Sequence, residues 1–309
     1  MKQIDHLEPK PPIQYPFHTV LFLTILCIAV GTFVGLALQL IAYQAFGVDH
    51  QTFFSDLNTH ANDVNARNFL RGVTMLEHLF VFAIPSIVAA WFLFQKTWKR
   101  QLQLMRMPQI STLALTLLLI LFALPLVAWS IWLNQLIPLP DWATGMEDQL
   151  EGLLRMLLTM DSPFEVVFSF VVMAVVPAVG EELLFRGLLQ NQLEKLIKNP
   201  HAAVWIAAFI FSFFHFQFEG FLARFVLGAI LGYSLIWTRN LWIPIFGHLV
   251  FNGTQVLTTA LYHEKLDDLD LQTAQQPELV LLIISAILVP MIGYAMQRIH
   301  NKTTLTNTP

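Results

Sequence analysis

The sequence predicts an all-α fold: a polytopic bundle of about eight transmembrane helices, with an additional amphipathic helix at the membrane surface. The first observation is composition, because 56% of the 309 residues are hydrophobic, only 12% are charged and the mean hydropathy is +0.60. A soluble globular domain carries about 25% charged residues. The second observation is that the apolar residues fall in blocks of roughly 17 to 25, long enough at about 1.5 Å per residue to cross a bilayer core of about 30 Å. The chain is therefore expected to be an integral, multi-pass membrane protein.

The apolar blocks give the order of the helices. They run from Phe17 to Phe46, Gly72 to Phe94, Thr112 to Leu136, Phe164 to Leu189, Ala202 to Phe216, Phe221 to Trp237, Leu241 to Leu261 and Leu279 to Met296. The first block is far longer than the roughly 7 to 15 residues of a signal-peptide core, so we expect it to remain in the mature protein. No repeat of fixed period is evident, which favours a single bundle.

The blocks and their polar connections divide the chain into five segments. These are a cytosolic N-terminal tail (1–16), three transmembrane helices (17–136), an interfacial segment (137–163), a membrane domain with the candidate site (164–297) and a disordered tail (298–309). In the interfacial segment, leucines recur at helical spacing with acidic residues and Arg155 between them, which is typical of a helix lying in the membrane interface. This helix could cover the entrance to a site or be a plain surface linker, and the sequence leaves both interpretations open.

The charged residues predict the orientation of the bundle. Between the second and third blocks the cations are Lys96, Lys99, Arg100 and Arg106, with no acid among them. The connections on the other side are rich in Asp and Glu, and because Lys and Arg favour cytosolic loops, both termini are predicted to be cytosolic. The net charge of -4 argues against a nucleic-acid partner. The single cysteine, Cys27, permits neither an intramolecular disulfide nor a cysteine-based metal site.

Several polar side chains lie inside the apolar blocks, where a charge costs about 2.5 to 3.5 kcal/mol on insertion scales and so needs a partner or a wet cavity. In the first half of the chain they are mainly Glu77 and His78. In the second half they are Glu181, Glu182, Arg186, His215, His248 and Asn252. The second half is therefore the predicted location of a functional site.

Helical geometry separates the two adjacent glutamates. Successive helical residues are about 100° apart, so Glu181 and Glu182 cannot face the same point, whereas Arg186 lies one turn after Glu182. Glu before Arg at this spacing is the favourable order of an ion pair. Glu182 is therefore predicted to be the structural acid, and Glu181 the chemically active one.

The remaining groups suggest what Glu181 does. His248 and Asn252 are four residues apart and lie on the same face of the seventh block. His215 lies at the end of the fifth block, Ala202 to Phe216. A carboxylate in an apolar site can take a proton from water with the help of a histidine, and an amide or a second histidine can donate to a developing oxyanion. These residues thus favour a peptide hydrolase, while helix-to-helix hydrogen bonds and the proton path of a transporter remain alternatives.

Three stretches carry a resemblance to a known family. EELLFR from Glu181, FSFFH ending at His215 and HLVFN from His248 occur in that order. They resemble the EExxxR, FxxxH and HxxxN motifs of the CPBP family of intramembrane proteases, which includes type II CAAX prenyl endopeptidases and the bacterial bacteriocin-processing and immunity (Abi) proteins. The resemblance covers roughly Phe164 to Leu261 and implies roles for all six polar residues. Glu181 and His215 would activate water, and His248 and Asn252 would stabilise the oxyanion.

The resemblance also implies expectations about cofactor, substrate and location. Glu181, His215 and His248 could supply the three ligands of a catalytic divalent metal such as zinc, although no HExxH motif is present. The substrate would be a membrane-associated protein or peptide, possibly of CAAX or bacteriocin type, and the protein would lie in the bacterial cytoplasmic membrane. A non-enzymatic immunity or partner-binding protein on the same scaffold is the main competing function, since fold does not imply function.

Overall fold

A computed structural model describes residues 15–55, 57–266 and 276–306 of the chain. The predicted N-terminal tail thus lies outside the described residues except for its last two. The helices are α1 (Phe17–Ala45), α2 (His50–Ser55), α3 (Leu57–His60), α4 (Val64–Gln101), α5 (Ile110–Gln135), α6 (Asp141–Leu158), α7 (Pro163–Ile197), α8 (Pro200–Phe213), α9 (Phe221–Thr238), α10 (Trp242–Leu266) and α11 (Leu279–Thr306). The described part contains no strand, and the all-α membrane bundle is confirmed.

Six of these helices are long and apolar enough to cross a membrane, namely α1, α4, α5, α7, α9 and α11. The sequence predicted eight spans, and the other two correspond to α8 and α10. With 14 residues, α8 reaches only about 21 Å. The 25 residues of α10 are long enough, but its polar side chains dilute its apolar character. The short helix α8 and the more polar helix α10 both belong to the part of the bundle that carries the candidate site.

Two predicted segments can be compared with the helices. The amphipathic segment 137–163 contains α6, as its leucine spacing predicted. The predicted disordered tail 298–309 begins inside α11, which continues to Thr306, while residues 307–309 lie outside the described part. The apolar periodicity ends before the helix does, because the last turns of α11 are built from polar residues.

The bundle is packed around close helix crossings. A Cβ atom on Gly31 of α1 would lie 2.1 Å from the Phe80 carbonyl oxygen of α4, so only glycine permits this approach. At Gly180 of α7, a Cβ would lie 3.1 Å from Phe82 Cβ and 3.2 Å from the Ala83 backbone nitrogen. Glycine at these two positions brings α4 close to both α1 and α7.

The apolar core has two main parts. One lies between α4, α7, α9 and α10 and includes Leu93, Leu188 and Leu235. The other lies between α5, α9 and α11 and includes Leu119 and Leu231. On α1, by contrast, many large apolar side chains are exposed, which is typical of a surface that faces lipid.

A buried charge cluster joins the first turns of α4 and α7. Glu165 accepts hydrogen bonds from Arg67 Nε at 2.9 Å, Arg67 Nη2 at 3.0 Å and Arg71 Nη1 at 2.8 Å. All three side chains are buried, and Asp161 adds a second acceptor for Arg67 at 2.6 Å. Such buried charges are tolerated because every one has partners. The sequence analysis missed this cluster, since its members lie at the edges of the apolar blocks.

Two of the spanning helices are interrupted in the same way. In α4 a π-helical turn, Leu79–Ala83, precedes Pro85, and in α7 a π-helical turn, Val171–Val175, precedes Pro177. Proline has no N–H to donate, so each interruption leaves backbone carbonyls without their helical partner. π-helical turns are frequently found at functional sites, and both interruptions lie next to the polar residues described below.

Candidate active site

The carboxylate of Glu181 lies among three imidazoles. Oε2 is 3.7 Å from His215 Nε2 and 3.9 Å from His248 Nε2, and Oε1 is 3.7 Å from His78 Nε2. Only 5% of the Glu181 side chain is exposed, whereas His78 and His215 are each 27% exposed. Glu181 is thus buried, while His78 and His215 are partly exposed at the surface. Among the residues that the structure describes, Glu181 Oε2 has no hydrogen-bond partner.

The end of α8 positions His215. The helix ends at Phe213, and the His215 Nδ1 atom lies 2.7 Å from the Phe211 carbonyl oxygen. This contact requires the proton of the neutral ring to be on Nδ1, so Nε2 turns its lone pair toward Glu181. The loop that follows is held by α6, whose Glu147 accepts hydrogen bonds from the backbone N–H groups of Phe218 and Glu219. The amphipathic helix therefore contacts the loop next to a site histidine.

Glu182, Arg186 and His248 form a second hydrogen-bonded group, in which both contacts are made to Glu182 Oε1. Arg186 Nη1 donates to Glu182 Oε1 at 2.7 Å, and His248 Nδ1 donates to the same oxygen at 2.9 Å. Arg186 Nη2 also donates to the Gly228 carbonyl of α9 at 3.0 Å. The predicted division of roles is consistent with this geometry, since Glu182 is neutralised by Arg186 and orients a histidine while Glu181 faces the open side.

The Phe211 ring is an apolar group in contact with three polar residues of the site. Its ring lies 4.4 Å from the Arg186 guanidinium carbon, 4.7 Å from the His215 ring centre and 6.0 Å from that of His248. The cation lies over the ring and the imidazoles present edges to it, which are favourable geometries. The phenylalanine of FSFFH thus holds three site residues at fixed angles.

Asn252 contacts a neighbouring helix. Its Nδ2 donates to the Met173 carbonyl at 3.0 Å. Met173 lies in the π-helical turn of α7, and Pro177, four residues later, has no N–H to donate, so the Asn252 amide gives this carbonyl a donor from another helix. Within the described part of the chain, no hydrogen bond or ion pair joins Asn252 to Glu181 or to a site histidine. The structure assigns it an interhelical contact.

His78 is the site residue that the sequence analysis missed. The residue was noticed as an intramembrane polar group, but nothing in its spacing related it to Glu181. It is the last residue before the π-helical turn of α4, and its Nδ1 lies 3.3 Å from the Thr74 carbonyl oxygen. The close packing of α4 on Gly180 brings it to Glu181. Only tertiary packing connects the two residues.

The three imidazoles have a common proton arrangement. Each Nδ1 faces an acceptor, which is a backbone carbonyl for His78 and His215 and the Glu182 carboxylate for His248. In their neutral forms all three rings therefore turn Nε2 lone pairs toward the ionised carboxylate of Glu181. Imidazole lone pairs and carboxylate oxygens are both acceptors, so the arrangement is complementary to a hydrogen-bonding water among them.

The predicted divalent-metal site, with Glu181, His215 and His248 as ligands, can be compared with these positions. Zinc holds nitrogen and oxygen ligands at about 2.0 to 2.2 Å, which places neighbouring ligand atoms about 3.3 to 3.6 Å apart in a tetrahedron. The two imidazole nitrogens are 3.7 and 3.9 Å from Glu181 Oε2. Among the residues that the structure describes, no three His, Cys, Asp or Glu side chains are grouped so that they could hold a metal ion. As placed, the residues do not fit a metal.

Comparison with known proteins agrees with the motif resemblance. Residues 163–254 match the family model described as type II CAAX prenyl endopeptidase, Rce1-like. This segment of the chain is therefore similar to the CAAX protease family. The matched segment contains Glu181, Glu182, Arg186, His215, His248 and Asn252. His78 lies outside the matched segment, so the family match assigns it no role.

Two curated proteins are similar to part of this chain. One is the membrane-embedded CAAX protease MroQ of Staphylococcus aureus (strain USA300), 30% identical over 105 residues, which are 32% of this chain and 42% of MroQ. The other is the uncharacterized protein YpbD of Bacillus subtilis (strain 168), 29% identical over 97 residues, which are 30% of this chain and 47% of YpbD. The matches thus span less than half of either relative. No solved structure matches the chain.

Proposed function

We propose that this protein is an intramembrane endopeptidase that hydrolyses a peptide bond of a membrane-associated protein or peptide in the bacterial cytoplasmic membrane. The observation that carries the proposal is the buried Glu181 carboxylate, whose Oε2 has no hydrogen-bond partner within the described part of the chain. Imidazoles from α4, from the turn after α8 and from α10 face it. The match of residues 163–254 to the type II CAAX prenyl endopeptidase model supports the same chemistry. The name of MroQ makes a CAAX-type substrate the first to test.

In the proposed reaction Glu181 is the general base. A water oxygen about 2.8 Å from both Glu181 Oε2 and His215 Nε2 is compatible with their separation of 3.7 Å. Glu181 takes one proton of this water while its oxygen attacks the peptide carbonyl carbon. His215 accepts a hydrogen bond from the second proton and so orients the water. Its Nδ1 contact with Phe211 keeps Nε2 free for this role.

The oxyanion needs a donor, and His248 is the best placed. Its Nδ1 proton is already given to Glu182, so Nε2 can donate only when the ring is doubly protonated. The carboxylate of Glu182 stabilises that form electrostatically, as preorganised charge does in oxyanion sites. Asn252 donates one N–H to Met173, and its proposed contribution is to hold α7 against α10 rather than to contact the oxyanion.

The divalent metal expected from the family stays a prediction. The donor separations described above do not favour it, and each step proposed here uses only side chains and water. Chelation of the purified protein is the direct test, and it is described in the Discussion.

Two alternatives to a protease come from other classes of protein. A buried acid among three histidines is also what a proton-coupled transporter would use. A non-enzymatic immunity or partner-binding protein could likewise have this fold without hydrolysing peptide bonds. The two alternatives share the expectation that no peptide bond is cleaved.

The experiment compares membranes from cells that express the wild-type protein, Glu181→Gln or Glu151→Gln. Glu151 is the matched control, because it is a glutamate on α6 whose side chain is 40% exposed and lies 3.9 Å from Arg155. Quantitative proteomics should reveal membrane-associated substrates that accumulate uncut in the Glu181→Gln membranes alone. If the variant is expressed and folded but leaves every cleavage product at its wild-type level, the protease proposal is wrong. Proton-coupled uptake into vesicles would then favour the transporter.

A further inference from the structure

His78 occupies the side of Glu181 that the other histidines leave free. His215 and His248 face Oε2, whereas His78 faces Oε1 at 3.7 Å. The two carboxylate oxygens therefore have separate partners, contributed by different helices. His78 is also 27% exposed, so a bound peptide can reach it.

Peptide hydrolysis requires two proton transfers: one removes a proton from the attacking water, and the other adds a proton to the leaving nitrogen. The amide nitrogen leaves only when it is protonated, because a free amide anion is far too basic in water. Glu181 holds the proton taken from water, and Oε1 is the oxygen from which it can be passed on. His78 Nδ1 faces the Thr74 carbonyl, so Nε2 is free to accept that proton and to donate it again.

We propose, resting on the protease function above, that His78 is the catalytic general acid that protonates the leaving nitrogen. In the step, a bond forms between the water oxygen and the carbonyl carbon, and one water proton moves to Glu181. That proton passes from Oε1 to His78 Nε2, the carbon–nitrogen bond breaks, and Nε2–H gives the proton to the departing amine. The products are a carboxylic acid and an amine, and both side chains return to their starting states.

The test uses a leaving group that needs no proton. The peptide cut in the proteomic comparison is synthesised twice, once with its natural scissile amide and once with a thioester at that bond. A thiol has a pKa of about 8.5 and departs as a thiolate without help. The variants are His78→Gln, His78→Ala and, as a matched control, His201→Gln, whose exposed ring contacts the Tyr233 hydroxyl at 3.1 Å.

Loss of a general acid should lower the rate on the amide by about 10²- to 10⁴-fold and the rate on the thioester by less than about tenfold. Equal losses on amide and thioester would give His78 a merely structural role and overturn the proposal. Full amide activity in His78→Gln would overturn it too. Failure of the protease proposal is distinguishable, because wild-type protein would then cleave neither substrate.

A different observation carries a second inference, at the end of the bundle predicted to be cytosolic. A cavity of about 370 Å³ is lined by residues that include Arg100, Arg106, Arg239 and His300. Its wall is fixed by backbone contacts between two connections. Leu241 N–H donates to the Gln103 carbonyl at 3.0 Å, and the Asn240 amide donates to the Arg106 carbonyl at 2.9 Å. The cavity is thus built into the fold.

The charges in this cavity are incompletely matched. Arg239 pairs with Glu194 at 2.8 and 2.9 Å. For the guanidinium groups of Arg100 and Arg106, no hydrogen bond or ion pair occurs within residues 15–55, 57–266 and 276–306. Three large apolar side chains are exposed beside the cavity, on Met105, Met107 and Ile110. Cations next to exposed apolar side chains at a membrane surface suit an anionic lipid, whose phosphate binds guanidinium and whose chains lie in the bilayer.

We infer that this cavity binds the phosphate group of an anionic membrane lipid. Purified protein in mild detergent is titrated with phosphatidylglycerol, phosphatidylcholine or inorganic phosphate, and thermal stability and native mass spectrometry report binding. Phosphatidylglycerol should stabilise the wild-type protein, and the double variant Arg100→Gln/Arg106→Gln should bind it about tenfold more weakly. Arg155→Gln, at the opposite end of the bundle, is the control. Equal stabilisation by phosphatidylcholine, or by inorganic phosphate alone, would overturn the assignment to an anionic lipid.

Discussion

The ion pair of Glu182 and Arg186 is predicted to have separable effects on stability and on catalysis. The perturbations are Glu182→Leu, Arg186→Met and the double variant, which replace each side chain by an apolar one of similar size. In the wild type the two side chains are 0% and 1% exposed and lie 2.7 Å apart. Glu182 also accepts from His248, so the pair orients a proposed catalytic group.

The magnitudes follow from this burial. Removing one partner of a buried pair leaves an uncompensated charge and costs about 3 to 5 kcal/mol, whereas replacing both by apolar residues is often close to neutral. Each single variant should therefore be strongly destabilised, and the double variant should regain most of the stability. Activity should not return with it, since loss of one oxyanion donor lowers kcat by about 10²- to 10³-fold.

The assay measures thermal or denaturant unfolding of the purified variants together with cleavage of the substrate peptide. Recovery of both stability and activity in the double variant would refute the assignment of Glu182 as the residue that orients His248. Single variants that cost less than about 1 kcal/mol would refute the buried pair itself, because that is the magnitude of an exposed pair.

Three further predictions concern the rest of the bundle. Glu165→Gln should lower the unfolding free energy by about 3 kcal/mol or more, because two buried arginines lose their shared acceptor. Asp161→Asn is its control and should cost about 1 kcal/mol or less, since its side chain is 60% exposed. Gly31→Ala should destabilise by about 1 to 3 kcal/mol through overpacking, whereas Gly72→Ala, with open space around the added methyl group, should stabilise by about 0.5 to 1 kcal/mol. The unfolding free energy of each variant and its control is measured by denaturant unfolding. Equal changes in a variant and its control would contradict the packing described above. Cleavage should persist after exhaustive chelation and dialysis. Activity that is lost on chelation and restored by zinc would instead support the metal site expected from the sequence.

Much of the fold and part of the site could be predicted from the sequence. Apolar blocks give the helices because crossing a bilayer requires about 20 apolar residues whatever the tertiary structure. The pairing of Glu182 with Arg186 is a local helical relation, so four-residue spacing was sufficient to find it. These features depend on nearest neighbours along the chain.

The features that the sequence did not predict depend on contacts between distant helices. His78 reaches Glu181 only because α4 packs closely on Gly180. The partner of Asn252 depends on a carbonyl that Pro177 leaves open in another helix. The buried Arg67 and Arg71 escaped notice because their acceptor is about a hundred residues away along the chain. No periodicity or motif spacing encodes such relations.

The central claim is that Glu181 activates the water that cleaves the peptide bond. The most direct measurement is the cleavage rate of the substrate peptide by purified, folded wild-type and Glu181→Gln protein in lipid nanodiscs. The account predicts a fall of at least about 10²- to 10⁴-fold, the usual contribution of a general base, without loss of peptide binding. A variant that cleaves at the wild-type rate would contradict it.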